Sequence, residues 1–377
     1  METVTHCRSG ETSTSVILTI PHSGGQERSA GARTRRTDVA IMEGRRDTKG
    51  SIHRCEFRGS APTPLGEQAR VTEPCLYTVR MAKVHPIIFL GTSAFAVPSL
   101  RALAGDPSFK IDLVITQPDR PAGRGKKMTP SPIKMLAKDL GLPIAQPESI
   151  NEWRQPATSN QQPATFRPDF LVVVSYGQIL PLAILNAPVI APVNVHASLL
   201  PRWRGASPIQ HAILAGDKET GVTVQRMVKE LDAGPILAQE KTAIDGRTTA
   251  PHLHDRLATM GADLLTRTLN APLSPVEQDE INITFCKKLT REDGKADPAS
   301  MAAEEIDRRV RALNPWPGVT ADVNGQTFKI LAAELTATKD SFPLPCAKDT
   351  VLHLVSVQMP GGKPISGAEW ARRKVRG

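Results

Sequence analysis

Two short stretches, Pro86–Gly91 "PIIFLG" and Phe170–Ser175 "FLVVVS", constrain this chain more than anything else in it. Each is apolar at nearly every position rather than at alternate ones, so a strand made from it has no face to turn to water. Such strands belong at the centre of a sheet covered on both sides. Around them, segments of strand and helix character alternate. The turn Gly91–Ser93 leads into a predicted helix over Val97–Ala104, a strand over Ile111–Thr116, a helix over Pro132–Leu140 and a strand over Pro143–Gln146. After Phe170–Ser175 come a strand over Val193–Leu200, a helix over Ser207–Leu214, an alternating strand over Gly221–Met227 and a closing helix over His252–Leu269. This alternation specifies an α/β domain, Rossmann-like, with a mostly parallel sheet, and we assign it to residues 81–269.

The flanks obey other rules. Residues 1–80 hold eleven Arg and one Lys against nine Asp and Glu, with Ser15–Ile20 as the lone apolar stretch. That composition does not bury enough surface to fold alone. We expect a disordered extension, or sequence upstream of a start at Met81. Its acidic residues argue against a mitochondrial presequence, which stays as an alternative to a cytoplasmic protein. A linker is expected over residues 270–281, and short strands over Gly318–Val323, Thr327–Ala332 and Val351–Val357 point to a small β-barrel in 282–377. The segment Thr336–Thr350, "TATKDSFPLPCAKDT", looks too broken to supply a further strand, which would leave the barrel with an open edge. The tail "ARRKVRG" reads as a frayed terminus.

Charge and cysteine content narrow the class of function. The net charge of +9 leans towards an anionic partner such as nucleic acid. Five scattered cysteines without CxxC spacing suggest free thiols rather than disulfides or zinc. No apolar run is long enough to span a bilayer, so no membrane association is expected. The turn "GTSAF" lacks the G-x-G-x-x-G of a dinucleotide fold, which argues against a nicotinamide oxidoreductase. "PDRPAGRGKK" sets Arg120, Arg124, Lys126 and Lys127 among prolines and glycines. It is expected to be neither helix nor strand, but a loop that is either simply solvated or grips phosphates.

Candidate chemistry gathers at "NVHASLLPRWRG". Asn194 and His196 are two apart, so on a strand both side chains point the same way, near a carboxyl end where ligands of such sheets bind. Downstream, "ELDAGP" offers Asp232 as a carboxylate to orient the imidazole and favour its charged form. An amide and an imidazole side by side would polarise a carbonyl oxygen that gains negative charge. Spacing alone also allows a structural hydrogen-bonding pair and a turn aspartate.

Asn194–Leu237 closely resembles the core of the folate-dependent formyltransferases. Their pattern of Asn-x-His, Ser-Leu-Leu-Pro-x-x-x-Gly, Thr-Gly-Val-Thr and Leu-Asp-x-Gly stands here as Asn194, His196, Ser198–Pro201, Gly205, Thr220–Thr223, Leu231, Asp232 and Gly234. The likeness runs from about Lys83 to the C-terminus. "TQPDRPAGRGKK" and "RALNPWPG" are similar to segments of the branch that formylates methionine carried on initiator tRNA. The resemblance implies an enzyme of translation initiation, a cytoplasmic monomer without metal, that moves the formyl group of 10-formyltetrahydrofolate to initiator methionyl-tRNA. It implies Asn194, His196 and Asp232 as catalytic residues. It implies Tyr176, Gly177 and Ile179 of "SYGQILP", with Ser198, Leu199, Leu200 and Pro201, as the folate contacts. It also implies Arg120, Arg124, Lys126 and Lys127 as the tRNA arm and an OB-like barrel as the C-terminal domain. The alternatives are transfer to another amine, on glycinamide ribonucleotide or an amino sugar, and an RNA-binding protein with a decayed site.

Overall fold

The computed structural model describes residues 83–374, apart from 123–124, 126, 152–166 and 324, and four strands nearer the N-terminus. Met1–Arg80 and Met81–Gly377 are separate units. In the first, Glu2–Arg8, Glu11–Thr19, Val39–Arg45 and Glu56–Phe57 pair in that order as an antiparallel sheet. The apolar stretch Ser15–Ile20 falls mostly in the second of these strands. The expectation of a disordered extension otherwise rests on residues outside the described ones.

The second unit opens on a seven-stranded sheet in the order Ile236–Ala243, Glu219–Arg226, Ala191–His196, Phe170–Val174, His85–Gly91, Phe109–Ile115, Ile144–Ala145. The last five run parallel, and the first two form an antiparallel edge. The two apolar runs are its central neighbours, and alternation splits their side chains between two cores. Ile87, Phe89, Val172 and Val174 join a large cluster with the helices Val97–Gly105 and Ala250–Leu269. Ile88, Leu90, Leu171 and Val173 join a smaller one with Tyr176, Leu180 and Leu185. Each fully buried aliphatic of this kind stabilises by roughly 1.5–3 kcal/mol.

Three readings are corrected here. The strand expected over Val193–Leu200 ends at His196, because Ser198–Arg202 fold into a turn closed by side-chain bonds. The basic segment expected to be neither helix nor strand forms a short hairpin, Arg120–Ala122 against Lys127–Thr129. Pro121 lies opposite Met128 in it, and Lys134 and Gln146 hold Asp119 at its base. The missing barrel strand exists: Phe342–Cys346 pairs antiparallel with Thr350–Gln358. Pro343 and Pro345 alternate along it, so the absent N–H groups both face outward from an edge strand, while Leu344 is buried.

The C-terminal sheet runs Lys295–Ala296, Val319–Val323, Gln326–Glu334, Thr350–Gln358, Phe342–Cys346, with Pro364–Ser366 also on the fourth. Register shifts in Gln326–Glu334 bend it, as a small barrel requires. The Ala347 amide ties its far edge back to the Pro298 and Met301 carbonyls. Of the tail, residues 371–374 belong to the helix Gly367–Lys374, in which Trp370 packs between Phe328 and Phe342, and 375–377 lie outside the described residues. The amphipathic helix Ala303–Leu313 carries Ile306, Val310 and Leu313 inward. From it, Arg308 Nε donates to the Leu214 carbonyl and Arg311 Nη1 to that of Thr248, so the β-rich part is joined to the α/β part. Among the described residues no helix is long and apolar enough to cross a membrane.

Candidate active site

Register places the site. Asn194 lies opposite Gln225 and His196 opposite Thr223 on the antiparallel neighbour, while Val173 flanks Asn194 on the parallel one. Pro192, Asn194, His196, Thr223 and Gln225 therefore share one face, that of the smaller core. Val193 and Val195 point into the larger core on the other.

His196 is buried, and its Nε2 lies 2.8 Å from the Trp203 carbonyl. A carbonyl only accepts, so Nε2 carries the hydrogen and Nδ1 is turned to Asp232. The Nδ1–Oδ1 separation is 3.7 Å, too long for a hydrogen bond. Nδ1 is thus left available to a third group. Asp232 has φ +50, a left-handed conformation that costs a non-glycine residue about 1–3 kcal/mol. Its surroundings hold it there. Oδ2 accepts from the Gly205 amide at 2.9 Å and Oδ1 from Gln225 Nε2 at 3.1 Å. Gln278 Nε2 donates to the carbonyls of Asp232 and Gly234. Gly234 is required there, since a Cβ would lie 1.8 Å from the Arg226 carbonyl oxygen.

The loop after His196 is equally fixed. Ser198 Oγ donates to the Arg202 carbonyl, and Thr223 Oγ1 donates to the Ser198 carbonyl and accepts from the Leu200 amide. Trp203, also at positive φ, is held by Thr284 at its amide and by Asp217 at its indole N–H. Arg202 stacks over the Trp203 ring and pairs with Asp217, which raises its pKa further. Arg204 is buried against Gln278. The Cys286 thiol faces the Trp203 carbonyl at 3.4 Å, and burial pushes its pKa up.

A cavity of about 420 Å³ opens along the same sheet face, lined by Leu182, Leu185, Ile190, Pro192, Met227 and Val228 among others. Asn194, His196, Gln225 and Asp232 do not line it; Pro192, two residues before Asn194, does. Tyr176 is buried in the core beside it. Its hydroxyl has no partner among the described residues, and burial pushes its pKa up to about 12. Ile179 is 84 % exposed and Gly177 is exposed too. Of the other expected folate contacts, Ser198 and Leu200 are buried and Leu199 and Pro201 half-buried. The structure thus unites Asn194, His196 and Asp232 but holds the basic residues apart from them in the hairpin. Arg120 there is exposed, 3.6 Å from Glu148, and Lys127 is exposed. Arg124 and Lys126 lie outside the described residues. Among the described residues no three His, Cys, Asp or Glu side chains group to hold a metal ion.

The sequence reading passed over Gln225, Gln278 and Trp203. Gln225 carries a faint signal, since Thr223 and Gln225 alternate with Val222 and Val224 and so share a face. Gln278 carries none, being 46 residues from Asp232, whose carbonyl it holds.

Residues 85–269 match the family model described as formyl transferase, and 288–375 that of the formyl transferase C-terminal domain. The methionyl-tRNA formyltransferase of Stutzerimonas stutzeri is 43 % identical over 294 residues, taking in 74 % of this chain and 91 % of that one. The chain belongs to the methionyl-tRNA formyltransferase family. The family member of Methylococcus capsulatus is 42 % identical over 301 residues, 75 % of this chain and 95 % of the other. The fold is shared more widely. The N-formyltransferase of Helicobacter canadensis, solved with folinic acid and dTDP-3-aminofucose, superposes with a TM-score of 0.52 at 18 % identity, over 74 % of this chain and all of that one.

Proposed function

We propose that this chain transfers the formyl group of 10-formyltetrahydrofolate to the α-amine of initiator methionyl-tRNA. The observation that carries the reading is the grouping of Asn194, His196 and Asp232 at the end of the Ala191–His196 strand, in a chain 43 % identical to a methionyl-tRNA formyltransferase over 91 % of that protein's length.

The folate ring is held by Tyr176, Gly177 and Ile179. Ser198–Pro201 border the donor through their backbone. The formyl carbon then stands over Asn194. The methionyl amine attacks this carbon, and the carbonyl oxygen becomes an alkoxide. Asn194 donates an N–H to that oxygen, and His196, charged and held at Nε2 by Trp203, directs Nδ1–H to it. Both donors act where charge develops, which is where a hydrogen bond lowers a barrier most. Asp232, directly or through water, takes a proton from the ammonium that forms as the amine adds. The tetrahedral centre collapses, the bond to folate N10 breaks, and N10 receives the proton that Asp232 took. The products are the formamide and tetrahydrofolate, with no covalent enzyme intermediate. The hairpin Arg120–Thr129, with Arg124 and Lys126 between its strands, reaches for the acceptor stem. The β-rich domain holds the rest of the tRNA.

The experiment is formyl transfer from 10-formyltetrahydrofolate by the full chain. Initiator methionyl-tRNA, elongator methionyl-tRNA and free methionine serve as acceptors. Transfer confined to the initiator supports the reading. Equal use of all three acceptors, or of an amino sugar instead, sinks it.

A further inference from the structure

We infer that Gln225 is a positioning residue that fixes which way the Asn194 amide points; the inference rests on the reading of the site given above. Gln225 is 2 % exposed and sits where the Glu219–Arg226 strand shifts register against its outer neighbour, an irregularity that re-aims a side chain. Its Nε2 donates to Asp232 Oδ1 at 3.1 Å. Its Oε1 is buried and has no partner among the described residues.

The orientation of this amide is dictated by chemistry. An ionised carboxylate only accepts, so Gln225 must turn its NH2 group to Asp232 and its oxygen away. Asn194 is its direct partner across the antiparallel ladder and on the same face, within reach of a cross-strand pair. The Asn194 side chain makes no hydrogen bond among the described residues. A free amide is used equally well either way round, and only one way presents N–H to a formyl oxygen. A rotation of the Asn194 amide would bring one N–H to the spare Oε1 of Gln225, a bond the two do not make in the structure, and leave the second N–H for the substrate. The acceptor character of Asp232 is thereby passed through Gln225 to Asn194, and one carboxylate sets both the imidazole and the amide.

The test separates this role from mere packing. Affinities of the full chain for 10-formyl-5,8-dideazafolate and 5,8-dideazafolate are measured for the unaltered protein, Gln225→Met, Asn194→Ala and the double variant, with unfolding midpoints as a fold control. The unaltered protein should prefer the formylated compound. Gln225→Met should lose about tenfold of that preference, the scale of one hydrogen bond, with little change for the unformylated compound. Asn194→Ala should lose it too, and the double variant no more than Asn194→Ala alone. Should Gln225→Met melt far below the parent, Gln225→Leu, which likewise carries no acceptor, replaces it and should show the same loss. A folded Gln225 variant that keeps the full preference overturns the inference. If the unaltered chain binds neither folate, the folate reading falls and takes the inference with it. If it binds both and does not formylate methionyl-tRNA, only the acceptor reading falls, and the affinity ratio still decides on Gln225.

Discussion

In the proposed reaction His196 and Asp232 act through direction more than through strength. The Trp203 carbonyl fixes the ring at Nε2, and the two bonds to Asp232 hold a carboxylate in a backbone conformation that it would not choose alone. His196→Ala removes a donor to the developing oxyanion and should lower kcat by about 10²–10³-fold while the circular dichroism spectrum is unchanged. Asp232→Ala should cost at least as much, because it also removes the proton acceptor. Near-normal turnover by either folded variant would refute its role. Gly234→Ala tests the scaffold instead. Its Cβ would press on the Arg226 carbonyl oxygen, so the turn must move and carry Asp232 with it. Activity should fall further than the melting temperature does, and the reverse would show that the turn matters only to folding.

At the scale of elements, the basic hairpin is held at its base rather than along its length. Lys134, on the helix Pro132–Asp139, and Gln146 both bind Asp119, and the Lys134 bond first of all lowers the Asp119 pKa. Asp119→Ala should release the hairpin and raise KM for tRNA several-fold without altering kcat. Arg124→Ala should do the same through lost phosphate contact. If initial rates at limiting tRNA match the parent in both, the arm plays no part in tRNA use. A second element reports on pH. Asp293 caps its own turn through Thr290 and pairs with Lys287, chiefly the latter, which brings its pKa from 3.8 to about 2. The stabilisation from this group is complete above pH 3.8 and fades as pH falls through about 2. Asp293→Asn should therefore melt lower than the parent at pH 6, and the difference should shrink as pH falls below 3.8. A difference that is constant with pH would assign the effect to shape alone.

For the molecule as a whole, the question is how a β-rich part is kept in place beside a catalytic sheet. Helix Ala303–Leu313 does this, and its weakest chemical point is Asp307, buried and with its pKa raised by that burial. Arg311 compensates it with a bond at 2.8 Å and also reaches the Thr248 carbonyl of the α/β part. Removing one partner of a buried pair leaves the other uncompensated, so Arg311→Ala should destabilise by about 3–5 kcal/mol in chemical unfolding. The double variant with Asp307→Leu should recover part of that loss. No recovery would mean that Arg311 acts by its packing and not by its charge.

The sequence by itself determined the parts of this protein that depend on neighbours along the chain. Runs apolar on both faces gave central strands, two-residue periodicity put Asn194 and His196 on one face, and a long ordered motif named the chemistry. Tertiary structure decided what depends on residues far apart. Pro343 and Pro345 look like strand breakers until an edge position makes their missing N–H groups harmless. Thr223 and Gln225 look like a solvent face until register sets them against His196 and Asn194. Gln278 looks like linker until it is found bonded to the turn that carries Asp232. In each case the residue's local preference was real, and a partner that sequence distance conceals changed its consequence.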